Sequence, residues 1–174
     1  MPRVDTAALP IARVALRILI IVNWLSGAAI LALVTATVVA QEWTMTALGI
    51  APGSMIDRLI VPLRAIALLG LVAIPLNHVV LTRLLAIVET VRGGEAFATA
   101  NAGRLQKIAW ALLALQLLSM AIGGIAEAVS TPEQPLDLDA GFSASGWLAV
   151  LMAFILARVF AEGARMRDEL EGTV

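Results

Sequence analysis

The chain has 174 residues, of which 60% are hydrophobic and only 14% are charged, and its formal net charge is −1. Soluble domains are roughly 45–50% apolar and about 25% charged. A soluble domain of this length could not bury so much apolar surface, so lipid is the expected solvent for much of it. The absence of cysteine excludes disulfides, thiolate metal sites and cysteine nucleophiles.

Four stretches are long and apolar enough to cross a bilayer, which takes about 20 mainly apolar helical residues. They are residues 18–39, 59–80, 108–126 and 146–160. The first could instead be a cleaved signal peptide, because Arg13 and Arg17 precede it and Val38-Val39-Ala40 resembles a processing site. Signal peptides, however, have a hydrophobic region of only about 7–15 residues. We therefore expect an uncleaved first span and one four-span domain over residues 1–174.

Basic residues near the span ends predict the orientation, because Lys and Arg are enriched in cytoplasmic loops. The N-terminal arm, the loop between spans two and three, and the C-terminal segment share this enrichment. Their basic residues are Arg3, Arg13, Arg17, Arg83, Arg92, Arg104, Lys107, Arg158, Arg165 and Arg167. The other two loops are mainly acidic. The pattern predicts that both termini lie in the cytoplasm.

The loop between spans two and three continues the helical pattern beyond the membrane. The pattern breaks at Gly93-Gly94 and resumes near Thr99 or Asn101, either of which can cap a new helix. Span two with its extension would measure roughly 50 Å at 1.5 Å per residue, whereas the hydrocarbon core is about 30 Å thick. We therefore expect a helical hairpin in the cytoplasm, with Phe97 folding back as its hydrophobic anchor.

The fourth span continues into a C-terminal helix that is amphipathic. Val159, Gly163, Met166 and Leu170 fall on one face at helical spacing, and charged residues occupy another face. The apolar face either packs on the hairpin of the same chain or is presented to a partner. These elements predict an all-α fold: an integral membrane four-helix bundle with a cytoplasmic helical hairpin and an amphipathic C-terminal helix.

Little in the sequence points to catalysis or to a cofactor. His78 is the only histidine, so bis-imidazole haem ligation within the chain and a multi-histidine metal site are excluded. We expect His78 to form interfacial hydrogen bonds, with proton sensing as the alternative. The sequence contains no phosphate-binding glycine loop, serine nucleophile motif or zincin pattern. We therefore predict no enzymatic activity, no metal and no cofactor.

Polar residues inside the spans have a structural and a functional interpretation. Asn23 and Gln116 are amides that usually hydrogen-bond between membrane helices, at about 0.6–2 kcal/mol each. They could also line a polar route through the membrane. Arg64 and Glu127 should lie at similar depths near the outer face, so we expect an ion pair between spans two and three.

Two segments carry a family resemblance: VRGGEAFATANAGRLQKIAW and, at the chain end, VFAEGARMRDELEGTV. They resemble the bacterial membrane family catalogued as domain of unknown function 2975, whose members look like small four-span proteins. The family pattern is a Gly-acid-x-Phe loop, an Asn-x-x-Arg-Leu helix start and a terminus close to Asp-Leu-x-Gly-Thr-Val. The matching residues here are Gly94, Glu95, Phe97, Asn101, Arg104, Leu105, Glu169, Leu170, Gly172, Thr173 and Val174. Ala96 replaces the usual proline and Glu169 the usual aspartate.

The resemblance implies a multi-pass protein of the bacterial cytoplasmic (inner) membrane, in a family without an established function. Its members are often encoded beside a small helix-turn-helix regulator of the Cro/repressor type, which implies a membrane-bound partner of a transcription factor. The candidate partner-binding residues are Phe97, Asn101, Arg104, Glu169, Leu170, Gly172, Thr173 and Val174. Arg104 is expected to pair with Glu169, Glu171 or the terminal carboxylate, an assembly that could equally be internal scaffolding.

Two functional hypotheses follow. In the first, a non-enzymatic interaction protein sequesters a cytoplasmic helix-turn-helix regulator and does not itself bind nucleic acid. In the second, a small transporter or channel, expected as a homo-oligomer, lines its route with Asn23, Gln116 and His78. Together with Arg64, these three make up the intramembrane polar residues.

Overall fold

The structure, a computed structural model, describes residues 8–47, 54–95, 98–130 and 138–171. The described residues form five α-helices and no strand. In chain order the helices are α1 (Ala8–Val39), α2 (Gln41–Ala47), α3 (Ser54–Arg92), α4 (Thr99–Val129) and α5 (Ala144–Glu171). The predicted all-α class is confirmed. The short α2 was not predicted and lies where the sequence suggested only a loop.

Four of these helices are long and apolar enough to cross a membrane, and each contains one predicted span. The apolar stretches run over Leu9–Val39, Leu59–Arg92, Thr99–Val129 and Ala144–Arg167. Large apolar side chains such as Ile18, Ile21 and Leu25 on α1 are more than half exposed within the protein. In water that exposure would be unfavourable, so these side chains indicate a lipid environment.

The chain divides into two compact units, each built from segments of several helices. Unit 1 comprises Met1–Asn23, Leu76–Ala114 and Ala144–Val174, and unit 2 comprises Trp24–Pro75 and Leu115–Ser143. The long helices α1, α3 and α4 therefore each contribute one part to each unit. Pro62 and Pro75 both lie inside α3, which continues through them.

The core of unit 1 is made mainly of small side chains. On α5 the buried positions are Val150, Ala153, Ala157 and Ala164, which recur at three-, four- and seven-residue intervals. These intervals place them on one side of the helix. Ala109 and its neighbours Ile108 and Ala111 are the buried apolar residues that α4 contributes to unit 1. At the edge of this core the rings of Trp110 and Phe154 meet edge to face, with centroids 5.3 Å apart.

Unit 2 contains close approaches at glycine. A Cβ atom added to Gly27 of α1 would lie 3.1 Å from Cγ2 of Ile74 on α3, so the two helices are nearly in contact there. One turn along each helix, Gly70 of α3 faces Ile30 of α1. Small residues at such spacing allow membrane helices to approach closely and gain van der Waals contact.

The predicted break between α3 and α4 is confirmed, and its geometry is specific. Gly94 has a φ of 84°, a conformation that glycine adopts without steric cost. The amide of Glu95 donates to the carbonyl of Thr90 at 3.0 Å, and the amide of Gly94 donates to the carbonyl of Val91 at 3.1 Å. This pair of hydrogen bonds is the Schellman motif that ends many helices. α3 therefore ends at a defined residue and α4 follows at Thr99.

Candidate functional site

Three polar side chains join the end of α3 to the start of α4. We call Thr90, Asn101 and Arg104 the hairpin cluster. The Oδ1 atom of Asn101 accepts hydrogen bonds from Thr90 Oγ1 at 3.0 Å and from Arg104 Nη1 at 2.8 Å. Arg104 also donates to the carbonyl of Ala86 at 3.1 Å, and Asn101 Nδ2 lies 3.5 Å from the carbonyl of Glu95. Asn101 is fully buried, with 0% of its surface exposed.

The hairpin cluster corrects two expectations from the sequence. Asn101 does not cap α4: the helix starts two residues earlier, and its side chain instead bonds across to α3. Arg104 donates to Ala86, Thr90 and Asn101 rather than to the tail acid Glu169, which pairs with Arg165 at 3.3 Å. The other two predicted partners, the Glu171 side chain and the terminal carboxylate, lie outside the described residues. Arg104 is three residues from Asn101 on the same helix. Its guanidinium therefore reaches the Asn101 oxygen more readily than it reaches a carboxylate of the distant tail. These two predicted partner-binding residues therefore build the hairpin itself.

The apolar face of α5 lies opposite to its packed face. Val159 and Met166 are 54% and 53% exposed, and Gly163 between them is half-buried. Ala157 and Ala164, on the packed face, are 8% and 2% exposed. We call Val159, Gly163 and Met166 the α5 stripe. One of the two sequence interpretations expected the stripe to pack on the hairpin of the same chain. The stripe does not form the packed face of α5.

Ion pairs lie along α5 and between α1 and α3. Arg165 pairs with Glu162 at 2.6 Å and with Glu169 at 3.3 Å, one turn to either side. Such pairs on one helix face favour the helical conformation by a few tenths of a kcal/mol. Arg13 of α1 pairs with Glu89 of α3 at 3.3 Å. Nothing in the local sequence pattern relates residues so far apart, so this contact was not predicted.

Several predicted partner-binding residues lie outside the description. The structure does not describe four of them, which are Phe97, Gly172, Thr173 and Val174. The side chain of Leu170 is also outside the described part. The predicted anchoring role of Phe97 and the predicted role of the chain end therefore stay predictions.

Arg64 corrects another expectation. Its guanidinium donates to the backbone carbonyl of Thr37 and lies 3.4 Å from the Gln41 Oε1 atom. Its Nε atom lies 3.5 Å from the Thr37 hydroxyl, which itself donates to the carbonyl of Val34. Arg64 thus ties α3 to α1 and α2, and the expected ion pair with Glu127 is wrong. Charge matching suggested a carboxylate partner, but neutral oxygens at the end of α1 satisfy the guanidinium instead.

The remaining intramembrane polar residues differ in how they are satisfied. Asn23 and the half-buried His78 each have an interaction partner within the protein. Gln116 is only 8% exposed, and its Nε2 atom forms no hydrogen bond to any residue of the described structure. A buried amide nitrogen without an acceptor is costly. Its expected role as a hydrogen-bonding link between helices is therefore not supported at this nitrogen.

A crevice lies beside the last turns of α4. The non-helical residues 138–143 pack onto α4, where the Ser119 Oγ atom accepts from the Gly141 amide at 3.2 Å. A Cβ atom on Gly123 would lie 2.6 Å from Gly141 Cα, so only glycine fits there. Between this segment and α4 is an open cavity of about 440 Å³. Its lining includes Glu127 and Phe142.

Within the described parts of the chain, no three His, Cys, Asp or Glu side chains lie close enough together to hold a metal ion. On α5 the carboxylates of Glu162 and Glu169 are both engaged in ion pairs with Arg165.

The four long apolar helices define a multi-pass helical membrane protein. A family model matches residues 55–174, which include all of α4, all of α5 and nearly all of α3. The chain belongs to this family, described as Protein of unknown function (DUF2975), and the resemblance stated from the sequence is confirmed. No curated protein and no solved structure matches the chain.

Proposed function

We propose that this protein is a non-enzymatic interaction protein of the bacterial inner membrane, with both termini in the cytoplasm, that docks a cytoplasmic regulator on its C-terminal helix. The observation that carries the proposal is the exposed end of the α5 stripe, where Met166 is 53% exposed. α5 has 28 residues, or roughly 42 Å at 1.5 Å per residue, against a hydrocarbon core of about 30 Å. α5 is therefore longer than the hydrocarbon core is thick. Lipid would cover Val159, whereas Met166, near the end of α5, extends beyond the lipid.

The surroundings of Met166 fit a docking surface. Arg165 is held between Glu162 and Glu169, so the charges beside the stripe are ordered on the helix surface. An apolar side chain among ordered charges is the usual arrangement at the centre and rim of a protein interface. The hairpin cluster supports the proposal indirectly. Asn101 and Arg104 form hydrogen bonds within the hairpin, so α5 is the favoured docking surface.

The partner we favour is a small helix-turn-helix regulator of the Cro/repressor type, which the family resemblance implies. A regulator held at the membrane is kept away from DNA, so the membrane protein itself needs no nucleic-acid contact. The basis for this partner is the family association, and the α5 stripe is the surface that we assign to it.

The test compares co-purification from gently solubilised membranes by the full chain, by a chain truncated after Ala161 and by two Met166 variants. Met166→Glu places a charge on the α5 stripe, whereas Met166→Leu keeps it apolar and serves as the matched control. We expect the full chain and Met166→Leu to retain a small DNA-binding protein, and Met166→Glu to lose at least tenfold of it. Capture of copies of the same chain alone, by all four proteins, contradicts the proposal. Helix content by circular dichroism verifies that each variant is folded.

A second candidate function is a small oligomeric transporter or channel. The observation that favours it is Gln116, whose buried amide nitrogen has no hydrogen-bond partner among the described residues. Replacing Asn23 and Gln116 by leucine separates the two candidates. Flux across reconstituted vesicles should fall if these amides line a route, whereas capture of a regulator on α5 should be unchanged.

A further inference from the structure

The residues before α5 lie against the middle of α4 rather than beyond its end. Ser119 Oγ accepts from the Gly141 amide at 3.2 Å and donates to the Gly141 carbonyl at 3.4 Å. Ser119 is ten residues before Val129, the last residue of α4, which corresponds to about 15 Å along the helix. If α4 spans the bilayer, residues 138–143 reach a depth of up to half the hydrocarbon core, which is about 30 Å thick.

Non-helical backbone at that depth needs partners for its polar groups. Lipid supplies none, so irregular backbone occurs inside a membrane only where protein covers it or where it lines a water-filled cavity. Ser119 satisfies both polar groups of Gly141, and the amide of Ala140 donates to the carbonyl of Leu138 at 2.7 Å. Leu138, Ala140, Gly141 and Phe142 also line the cavity of about 440 Å³. Water in this cavity is the natural partner for the remaining groups.

The cavity has the size and lining of a small-molecule site. Its volume is within the range of roughly 300–1,000 Å³ that is usual for ligand pockets. Met120, Leu138 and Phe142 give it apolar walls, and Ser130 contributes a hydroxyl. Among the described lining residues, Glu127 is the one charged group.

We propose that this crevice between α4 and residues 138–143 is a water-accessible binding site for a small organic ammonium ion with a compact apolar body. Glu127 is the counter-ion for the ammonium group. Phe142, which is exposed, offers a ring face that attracts a cation, and Met120 and Leu138 contact the apolar part. An anion of the same shape meets the Glu127 carboxylate and is repelled. The site does not depend on the docking surface of α5.

The absence of cysteine makes the site directly testable. Met120 lines the crevice, and the adjacent Ala121 is also exposed but is not part of the lining, so the two positions lie at nearly the same depth. Met120→Cys and Ala121→Cys are compared in open membrane fragments with a trimethylammonium methanethiosulfonate, which does not enter lipid. We expect Met120→Cys to react at least tenfold faster. Equal rates at the two positions overturn the crevice. Gly124→Cys, whose Cβ meets nothing within 4 Å, replaces Met120→Cys if that variant does not fold.

The ligand class is tested by protection of the reactive cysteine. Phenethylammonium at millimolar concentration should slow the reaction at least fivefold, whereas 3-phenylpropionate, an anion of similar shape, should not. Adding Glu127→Gln should remove the protection while the cysteine stays reactive. Equal protection by both compounds, protection that survives Glu127→Gln, or no protection by phenethylammonium overturns the assignment of an organic cation.

Discussion

In unit 1 the ends of α3 and α4 are joined through polar side chains, whereas in unit 2 the chain segments approach at glycines. Asn101 accepts from Thr90 and Arg104 across the hairpin. Gly123, by contrast, lets Gly141 come so close that a single methyl group could not be inserted. Polar bonds are strong and directional in an apolar environment, and close backbone contact depends on shape alone. The two units should therefore respond to different kinds of substitution.

The largest effect is expected at Gly123. In Gly123→Ala the new Cβ atom would lie 2.6 Å from Gly141 Cα and 2.8 Å from the Ala140 carbonyl oxygen, so residues 138–143 must move away from α4. We expect a loss of about 2–3 kcal/mol, which is typical of strong overpacking. The measurement is unfolding of the purified protein in mixed detergent micelles, followed by tryptophan fluorescence.

Gly124→Ala is the matched control for Gly123→Ala. It has the same chemistry on the same helix, but its Cβ atom meets nothing within 4 Å. Its stability should be unchanged or slightly higher, because alanine favours a helix over glycine by about 1 kcal/mol. An equal loss in both variants would contradict the packing of residues 138–143 on α4.

The next effect is expected at the hairpin cluster. Asn101→Ala removes one acceptor that Thr90 and Arg104 share and leaves a buried gap, so we expect a loss of about 2 kcal/mol. Asn101→Asp keeps the oxygen and adds attraction to Arg104, so it should lose less. In Asn101→Ala the rate of amide hydrogen exchange should rise at the end of α3 and at the start of α4. The control is Gly103→Ala, an exposed position with open space, where no loss is expected.

A smaller effect is expected at Arg64. Arg64→Ala removes the donors to Thr37 and Gln41, and the thermal midpoint in detergent should fall by the equivalent of about 1.5 kcal/mol. Arg64→Lys should recover part of the lost stability, because the lysine ammonium group can replace one of the donors. A double-mutant cycle with Glu127→Gln should show no coupling, because the two residues do not pair. A coupling near 1 kcal/mol would restore the ion pair that the sequence suggested.

The smallest effect is expected for the pair Arg13 and Glu89. Both side chains are partly exposed, so solvent screening reduces the attraction to about 0.3–0.5 kcal/mol. A double-mutant cycle with Arg13→Met and Glu89→Gln measures this coupling. It should vanish in 1 M salt, where the screening length is only about 3 Å. A coupling that persists in high salt would show that the pair is more shielded than its exposure indicates.

Periodicity and charge were sufficient to predict the four spans, but they were not sufficient to predict individual side-chain contacts. The apolar runs place α1, α3, α4 and α5 because a backbone in lipid must satisfy its own hydrogen bonds. Adjacent glycines at 123 and 124 look equivalent in the sequence, yet only Gly123 touches another segment. Arg64 and Glu127 looked complementary in charge, yet Arg64 bonds to neutral oxygens of α1 and α2. Which helix face meets which neighbour is a property of packing, and no local pattern carries it.

The candidate sites divide in the same way. The sequence alone identified the Gly94 break, the polar residues Asn101 and Arg104, and the apolar face of α5, because each is a local pattern of residue types. The tertiary structure decided that Asn101 and Arg104 serve the hairpin internally, since burial leaves a polar group no option except a partner inside the protein. It also decided that alanines, rather than Val159 and Met166, pack α5 against its unit, because small side chains allow the closest approach in lipid.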